Sequence, residues 1–362
     1  MRTEASKPLV LVMAGGTGGH VFPALAIAKA LQHKSAAVQW LGTERGIEAR
    51  IVRDNGIELH CLGVQGLRGK GLLMRVQSLF KAASSLLAAI KLIRRLDPVC
   101  VLGLGGYVAG PGGVAAWLAR KPLIIHEQNA VAGTTNRLLA RFATRVLTGY
   151  PIALGGTRNT YIGNPVRESI AKLPAPEKRF ANRSGRLQLL VLGGSQGAMA
   201  INAVIVETLK LLSADEVSVW HQTGSAHIDA VRTEYQSAGL DVKVDAFIDD
   251  MAAAYGWADV VLCRAGALTV AEVSAAGVGA WLVPLPQAID DHQRENARWL
   301  ESNGAGEIIE QSSLTANLLQ KKIRDALSKR DTLKDMALAA RRLARPDAAA
   351  VAADFCLEYA YV

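Results

Sequence analysis

Cysteine is scarce in this chain: Cys61, Cys100, Cys263 and Cys356 are its only four in 362 residues, far apart and without a CxxC or Cys/His pattern. That spacing offers neither a disulfide framework nor a structural zinc site, so a reducing cytoplasm is expected. No apolar stretch follows the first charges, and secretion is not expected. No run reaches the roughly 18 to 20 uncharged apolar residues that cross a bilayer, so any membrane contact has to be peripheral. Aromatic residues are only 5% of the chain and do not interleave with its basic clusters, and no recognised nucleic-acid module is present, which argues against RNA or DNA as a partner. Also absent is Asp-x-Asp, the short pair through which metal-dependent nucleotide-sugar enzymes hold a diphosphate, so no metal site is expected. No Lys closes a Gly-rich loop in the manner of an ATP-hydrolysing P-loop.

Acid is in short supply relative to base. Asp and Glu number 32 against 41 Lys and Arg, a formal net charge of +9 that suits an anionic partner such as a phosphate or a lipid headgroup. Half of the residues are hydrophobic, ample for burial, and the length exceeds what one core normally supports, so two domains are expected. Short Val-, Leu- and Ile-rich runs alternate with longer Ala-rich stretches of helical period, the pattern of βα units around buried parallel sheets. Two units echo each other: PLVLVMAGGTGGH near the start and LQLLVLGGSQGA at residues 187–198 both run from strand through Gly-rich turn to helix. Each is expected to open its own doubly wound α/β domain. Between them, residues 163–186 carry Pro165, Pro174, Pro176 and a cluster of charges, which places the boundary near Val166 and gives domains 1–166 and 167–345. The stretch 346–362 reads as a helix begun by Pro346.

GGTGGH at residues 15–20 precedes a helix in which Pro23 is expected in the first turn. Free backbone N–H groups and the helix dipole there favour an anion, although a tight strand-to-helix turn needs no ligand. The loop lacks GxGxxG spacing and no clean acid ends the second strand, where Glu44 follows a glycine, so a dinucleotide dehydrogenase ranks below a sugar-nucleotide enzyme. His20 is the side chain best placed for proton transfer, with a simple helix cap as the other reading. GGSQGA at residues 193–198 adds the polar Ser195 and Gln196.

CRAGALTVAE at residues 263–272 supports two readings of Glu272: half of a capping box with Thr269, or a carboxylate for ribose hydroxyls. In FIDDM, Asp249 or Asp250 reads as a helix N-cap. DDHQRENA offers the amides Gln293 and Asn296 to sugar hydroxyls or to solvent. HEQN places Glu127 and Asn129 at a strand's carboxyl end, with His126 as a satisfied core histidine, and the glycine-rich loop at residues 103–113 is similarly placed. Residues 65–95 mix Leu72, Leu73, Met74, Leu79 and Phe80 with cations including Lys81, which fits either an interfacial helix on anionic lipid or a core-facing helix with a basic outer face.

With GGTGGH, GLGGY, HEQN, GNPVR, GGSQGA, FIDDM and CRAGALTVAE in this order, the chain resembles the MurG family of bacterial cell-wall glycosyltransferases over essentially its whole length. The resemblance implies the GT-B architecture, two Rossmann-like domains separated by a cleft, with the acceptor and membrane on the first and the donor UDP-GlcNAc on the second. It implies that residues 346–362 pack back on the first domain. The implied reaction is inverting transfer of GlcNAc to the C4 hydroxyl of undecaprenyl-pyrophosphoryl-MurNAc-pentapeptide (lipid I), giving the β-1,4-linked lipid II and UDP. This is a step of peptidoglycan synthesis, on which cell shape and division depend, and it would run without a cofactor at the cytoplasmic face of the inner membrane, near other cell-wall proteins. A UDP-sugar transferase of the same architecture with another acceptor is the alternative.

By similarity His20 is the candidate base and Glu127 the alternate. Donor contacts are implied for Ile248 and Arg264 at the uracil, for Ala267, Leu268, Thr269, Val270, Ala271 and Glu272 around the ribose, and for Ser195 and Arg167 at the diphosphate. Gln293 and Asn296 would meet the sugar, in a segment whose charged middle differs from the Gln-rich form of some relatives. Thr17, Gly18, Gly19 and Asn129 would reach the donor from the acceptor side, where Gly105, Gly106 and Tyr107 lie.

Overall fold

The Val- and Leu-rich runs are strands because they are covered on both faces, and the Ala-rich stretches between them are the covering helices. The computed structural model describes residues 7–44, 46–63, 72–194, 197–286 and 291–360, with the backbone alone described for 72–82. It divides into two compact units, Met1–Val166 with Asp347–Val362, and Arg167–Pro346.

The first unit holds β1 (Leu9–Met13), β2 (Ala37–Gly42), β3 (Glu58–Cys61), β4 (Cys100–Gly103), β5 (Leu123–Glu127), β6 (Arg145–Thr148) and β7 (Asn159–Tyr161). They form one parallel sheet in the order β3-β2-β1-β4-β5-β6-β7. The second unit holds β8 (Leu187–Leu192), β9 (Val217–Gln222), β10 (Lys243–Asp245), β11 (Val260–Cys263), β12 (Gly279–Leu282) and β13 (Gly306–Ile308), parallel in the order β10-β9-β8-β11-β12-β13. The echo in the sequence is therefore structural: β1 and β8 each occupy the centre of a doubly wound sheet.

Alternate residues of β1 feed opposite cores. Val10 and Val12 pack with Ile27 and Leu31 of the helix Gly18–His33 and with Ala352 and Cys356 of the helix Ala348–Leu357. Leu11 and Met13 join Ala89 and Ile93 of the helix Leu72–Leu96 on the other face. The helix Ala348–Leu357 thus completes a layer of the first unit, and its N-cap is Asp347, one residue beyond Pro346. Its outward ion pair, Lys34 Nζ to Asp354 Oδ1 at 2.6 Å, is solvent-exposed and adds little to stability.

Residues 167–186, most of the Pro-containing stretch that marked the domain boundary, are tied to the second unit by arginines. Arg341 donates to the Leu173 carbonyl at 2.8 Å, Arg183 to the Gly256 carbonyl at 2.8 Å, and Arg179 to the Ala276 carbonyl at 2.8 Å. These cations meet carbonyls at the ends of helices, where the dipole favours positive charge. Pro23 departs from expectation: the helix starts at Gly18, directly after the loop, so Pro23 lies inside it and removes the bond that the Gly19 carbonyl would otherwise receive.

Candidate active site

Strand order reverses between β1 and β4 in one sheet and between β8 and β11 in the other. Open parallel sheets bind ligands outside the carboxyl ends of the strands at such a point. Met13 lies in register with Gly103, and Leu192 with Cys263, so the two loops at each switch point leave the sheet at one level. GGTGGH and GLGGY leave β1 and β4, while GGSQGA and CRAGALTVAE leave β8 and β11.

In the first unit Thr17 is the N-cap of the helix Gly18–His33, which removes the capping role from His20. The Thr17 hydroxyl makes no cap bond; its Oγ1 lies 3.2 Å from His20 Nδ1 and orients the ring. Gly105, at φ +106°, lies against that ring: a Cβ there would stand 3.0 Å from His20 Cδ2 and Nε2. Gly106, at φ +82°, fits against the Gly15 carbonyl, where a Cβ would collide. Tyr107 follows, 57% exposed.

The acid that sequence reading sought at the end of the second strand arrives a few residues later. Glu48, fully buried, accepts from the Gly16 N–H at 3.1 Å through Oε2 and from the Thr43 N–H and hydroxyl at 3.1 and 2.7 Å through Oε1. It pins the GGTGGH loop from below. Its signal was the pair of glycines, Gly42 and Gly46, on whose missing side chains its own side chain rests.

Glu127 is 2% exposed and its carboxylate is consumed by its own loop. Oε1 accepts from the Asn129 N–H at 2.9 Å and from its Nδ2 at 3.2 Å, while Oε2 accepts from the Gly133 N–H at 3.1 Å and Asn136 Nδ2 at 2.9 Å. His126 is buried between the Gly163 carbonyl and the Gln128 amide, 3.0 and 3.1 Å away. The amide donates to Nδ1, so Nε2 carries the proton; burial pushes the imidazole below its ordinary range, and it stays neutral.

In the second unit, Ser195 and Gln196 lie outside the described residues. Gly194, which precedes them, is held by Gln222, 5% exposed at the end of β9, a residue the sequence reading passed over. Its Oε1 accepts from the Gly194 N–H at 2.9 Å, and its Nε2 donates to the carbonyls of Gly194 and Ala246 at 3.0 and 2.9 Å. One amide therefore ties the Gly-rich turn to the segment leading to Ile248, which is 4% exposed. Asp250 is the N-cap of the helix Met251–Trp257, accepting from the Ala253 N–H at 3.0 Å.

The helix Ala267–Ala276 has Gly266 as its N-cap and no side-chain cap, so Thr269 and Glu272 form no capping box. Ala267, Leu268 and Thr269 fill its first turn, with their N–H groups at the positive end of the dipole; Val270 and Ala271 lead to Glu272. Glu272, 5% exposed, receives Arg167 Nε and Nη2 on Oε1 at 3.1 and 2.8 Å and the Tyr255 hydroxyl on Oε2 at 3.2 Å. Burial raises its carboxyl, and Arg167 followed by Tyr255 draws it back down. Arg264 is braced by the carbonyls of Val283 and Pro284 at 3.1 and 3.3 Å and by Gln311 Oε1 at 2.7 Å, which fixes the plane of its guanidinium.

Of the two amides expected at the sugar, Gln293 is partly exposed and accepts from the Leu285 N–H at 3.1 Å. Asn296 is fully buried and donates to the Ala265 carbonyl at 3.1 Å, which ties it to the loop after β11. The helix Leu72–Leu96 runs through Leu72, Leu73, Met74, Leu79, Phe80 and Lys81, whose side chains lie outside the described residues. The same helix exposes Leu87, at 59%, and the helices Ala109–Leu118 and Thr134–Leu139 expose Trp117, Leu118 and Leu138, at 54%, 44% and 51%. The signal for these was a Trp-Leu pair followed by Arg120 and Lys121. Among the described residues no helix is long and apolar enough to cross a membrane, and no metal-binding group of His, Cys, Asp and Glu gathers.

Two doubly wound parallel sheets with anion-ready turns at both switch points define a GT-B glycosyltransferase. Residues 10–148 match the glycosyltransferase family 28 N-terminal domain and residues 188–351 its C-terminal domain. The chain is 48% identical to the UDP-N-acetylglucosamine–N-acetylmuramyl-(pentapeptide) pyrophosphoryl-undecaprenol N-acetylglucosamine transferase of Marinobacter nauticus, covering 99% of each. It is 51% identical to the transferase of that name from Alkalilimnicola ehrlichii, covering 97% of this chain and 99% of the relative. The crystal structure of Acinetobacter baumannii MurG superposes with a TM-score of 0.82 at 40% identity, covering 97% and 99% of the two chains. The chain belongs to glycosyltransferase family 28 and, within it, to the MurG transferases.

Proposed function

We propose that the chain transfers GlcNAc from UDP-GlcNAc to the C4 hydroxyl of MurNAc in undecaprenyl-pyrophosphoryl-MurNAc-pentapeptide, with inversion, giving the β-1,4-linked disaccharide and UDP. The observation that carries this reading is the near-full-length identity to transferases of that name. The first unit takes the acceptor and the second the donor.

His20 is the base. With Nδ1–H donated to Thr17, Nε2 holds the lone pair that removes the acceptor proton as the C4 oxygen attacks the anomeric carbon and the bond to UDP breaks. Gly105 leaves that ring its room, Gly106 lets its own backbone close on Gly15, and Thr17, Gly18 and Gly19 offer backbone beside the ring. Glu127, whose oxygens already accept four N–H bonds, is assigned the positioning of Asn129 instead of proton transfer. Uracil is read along the backbone of Ile248 and covered by Arg264, Glu272 holds the ribose, Gln293 meets the sugar, and Arg167 with Ser195 meets the diphosphate. The first-turn N–H groups of the helices Met199–Leu209 and Ala267–Ala276 stabilise the departing charge, a preorganised effect that asks for no metal.

The enzyme acts at the cytoplasmic face of the membrane. Leu87 of the basic helix Leu72–Leu96, together with Trp117, Leu118 and Leu138 of the helices that follow it in the chain, supports a peripheral seat on anionic lipid. The test follows radiolabelled GlcNAc from UDP-GlcNAc onto a short-chain lipid-linked MurNAc-pentapeptide, with UDP-GalNAc competing and EDTA present. Selective, chelator-resistant transfer is expected. Donor binding without transfer sinks the acceptor assignment, and loss of the chemical step on chelation sinks the metal-free one.

A further inference from the structure

The donor placement above gives Glu272 and Arg167 different parts of one ligand, the ribose and the diphosphate, yet in the structure they hold each other. Arg167 sets Nε and Nη2 on Oε1 at 3.1 and 2.8 Å, and Tyr255 sets its hydroxyl on Oε2 at 3.2 Å. A carboxylate has about four acceptor positions, and three are taken. Glu272 is 5% exposed and Tyr255 fully buried, so neither can turn aside; Arg167 leaves 40% of its side chain in solvent and is the partner that can.

We propose that Arg167 occupies the ribose position of Glu272 until a donor arrives, and that a ligand bringing its own diphosphate displaces it more readily than one without. The inference rests on the donor placement proposed above. Two ribose hydroxyls need acceptor positions that the guanidinium fills, so a ribose enters as Arg167 leaves. Releasing a guanidinium from a carboxylate is costly unless another anion takes it, and a diphosphate presents paired oxygens in the geometry a guanidinium matches. A nucleoside displaces the same cation and offers nothing in return. Arg167 thereby couples recognition of the ribose to the phosphates, and Tyr255 keeps the carboxylate in place while its partners change.

The predicted signature is a change of opposite sign for two ligands. Calorimetric titration of the full chain with uridine and with UDP compares wild type, Arg167→Met, Tyr255→Phe and Glu272→Gln. In Arg167→Met the competitor is gone, and uridine binds more tightly by roughly two- to fivefold, the worth of a half-exposed ion pair. UDP loses a charged partner and binds about 10- to 100-fold more weakly. Tyr255→Phe loosens the carboxylate without removing the competitor, so it weakens both ligands by one common factor. If Arg167→Met weakens uridine and UDP alike, Arg167 is only a support for Glu272. If it weakens UDP and leaves uridine unchanged, it is a plain phosphate contact; either result overturns the exchange. If Glu272→Gln binds uridine as wild type does, the ribose placement itself fails, a result distinct from the other two.

Discussion

Replacing Gly105 by Ala delivers one methyl group to the proposed base without touching it chemically. The backbone there stands at φ +106°, which an alanine adopts only under strain, of about 1 to 3 kcal/mol. A domain holds roughly 5 to 15 kcal/mol in reserve, so the variant folds and its melting temperature drops. The new Cβ would stand 3.0 Å from His20 Cδ2 and Nε2. Carbon atoms pack at about 3.5 to 4.0 Å, so the ring retreats by roughly half an ångström or more. A misplacement of that order costs up to about 10²-fold in turnover. The assay is steady-state transfer to the lipid-linked acceptor, with kcat and KM resolved for UDP-GlcNAc, alongside calorimetric UDP binding. The expected result is a lowered kcat with UDP affinity at its wild-type value, because the contacts to uracil, ribose and diphosphate are assigned to the second unit. A variant whose melting temperature falls while kcat holds refutes the reasoning: the strain would be present and the ring displaced, with no consequence for chemistry.

His20→Ala removes the base outright and lowers kcat by about 10²- to 10⁴-fold; a rate near wild type takes His20 out of that role. Gln222→Glu leaves an acceptor for the Gly194 N–H, sets a carboxylate against two carbonyls and adds charge behind the phosphate turn, so UDP affinity falls by about tenfold or more in direct titration. Equal affinity would mean that this turn does not hold the diphosphate. His221, buried between Asn202 and Tyr235, is pushed by burial down to about 4. It is neutral in the native state and gains a proton more readily when unfolded, so stability is intact above about pH 6.5 and is lost as pH falls toward 4, by about 3 kcal/mol. Urea unfolding across that range measures the loss, and His221→Gln flattens the slope or the assignment is wrong.

The fold was legible because parallel strands buried on both faces cannot hide: β1 is an apolar run and β8 is broken only by Gln188, each leads into glycines, and the alternation of such runs with helical stretches set the class. Side chains that shape the loops from beneath were harder to see. Glu48 and Gln222 work through contacts 32 and 28 residues away in sequence, and no local spacing announces such a contact. Glu272 shows the opposite error, a local pattern that looked sufficient. Thr269 and Glu272 have capping-box spacing, but the helix begins at Ala267 with Gly266 as its N-cap, so the pair falls inside it. Asn296 carried the chemistry of a sugar ligand, and its burial and its bond to the Ala265 carbonyl are contacts that no local spacing announces.

The return of the helix Ala348–Leu357 to the first unit sets an order of assembly. A ribosome finishes Arg167–Pro346 before it reaches Asp347–Val362, so the unit whose strands emerge first is the one completed last. Until then Ala24, Ile27 and Leu31 lack the layer that covers them, and an apolar face waits in a partly made protein through the synthesis of an entire second unit. Nascent chains with such a face are targets for chaperones and for wrong partners. The helix Ala348–Leu357 therefore acts as a latch on manufacture, closing the first unit only when the second already exists.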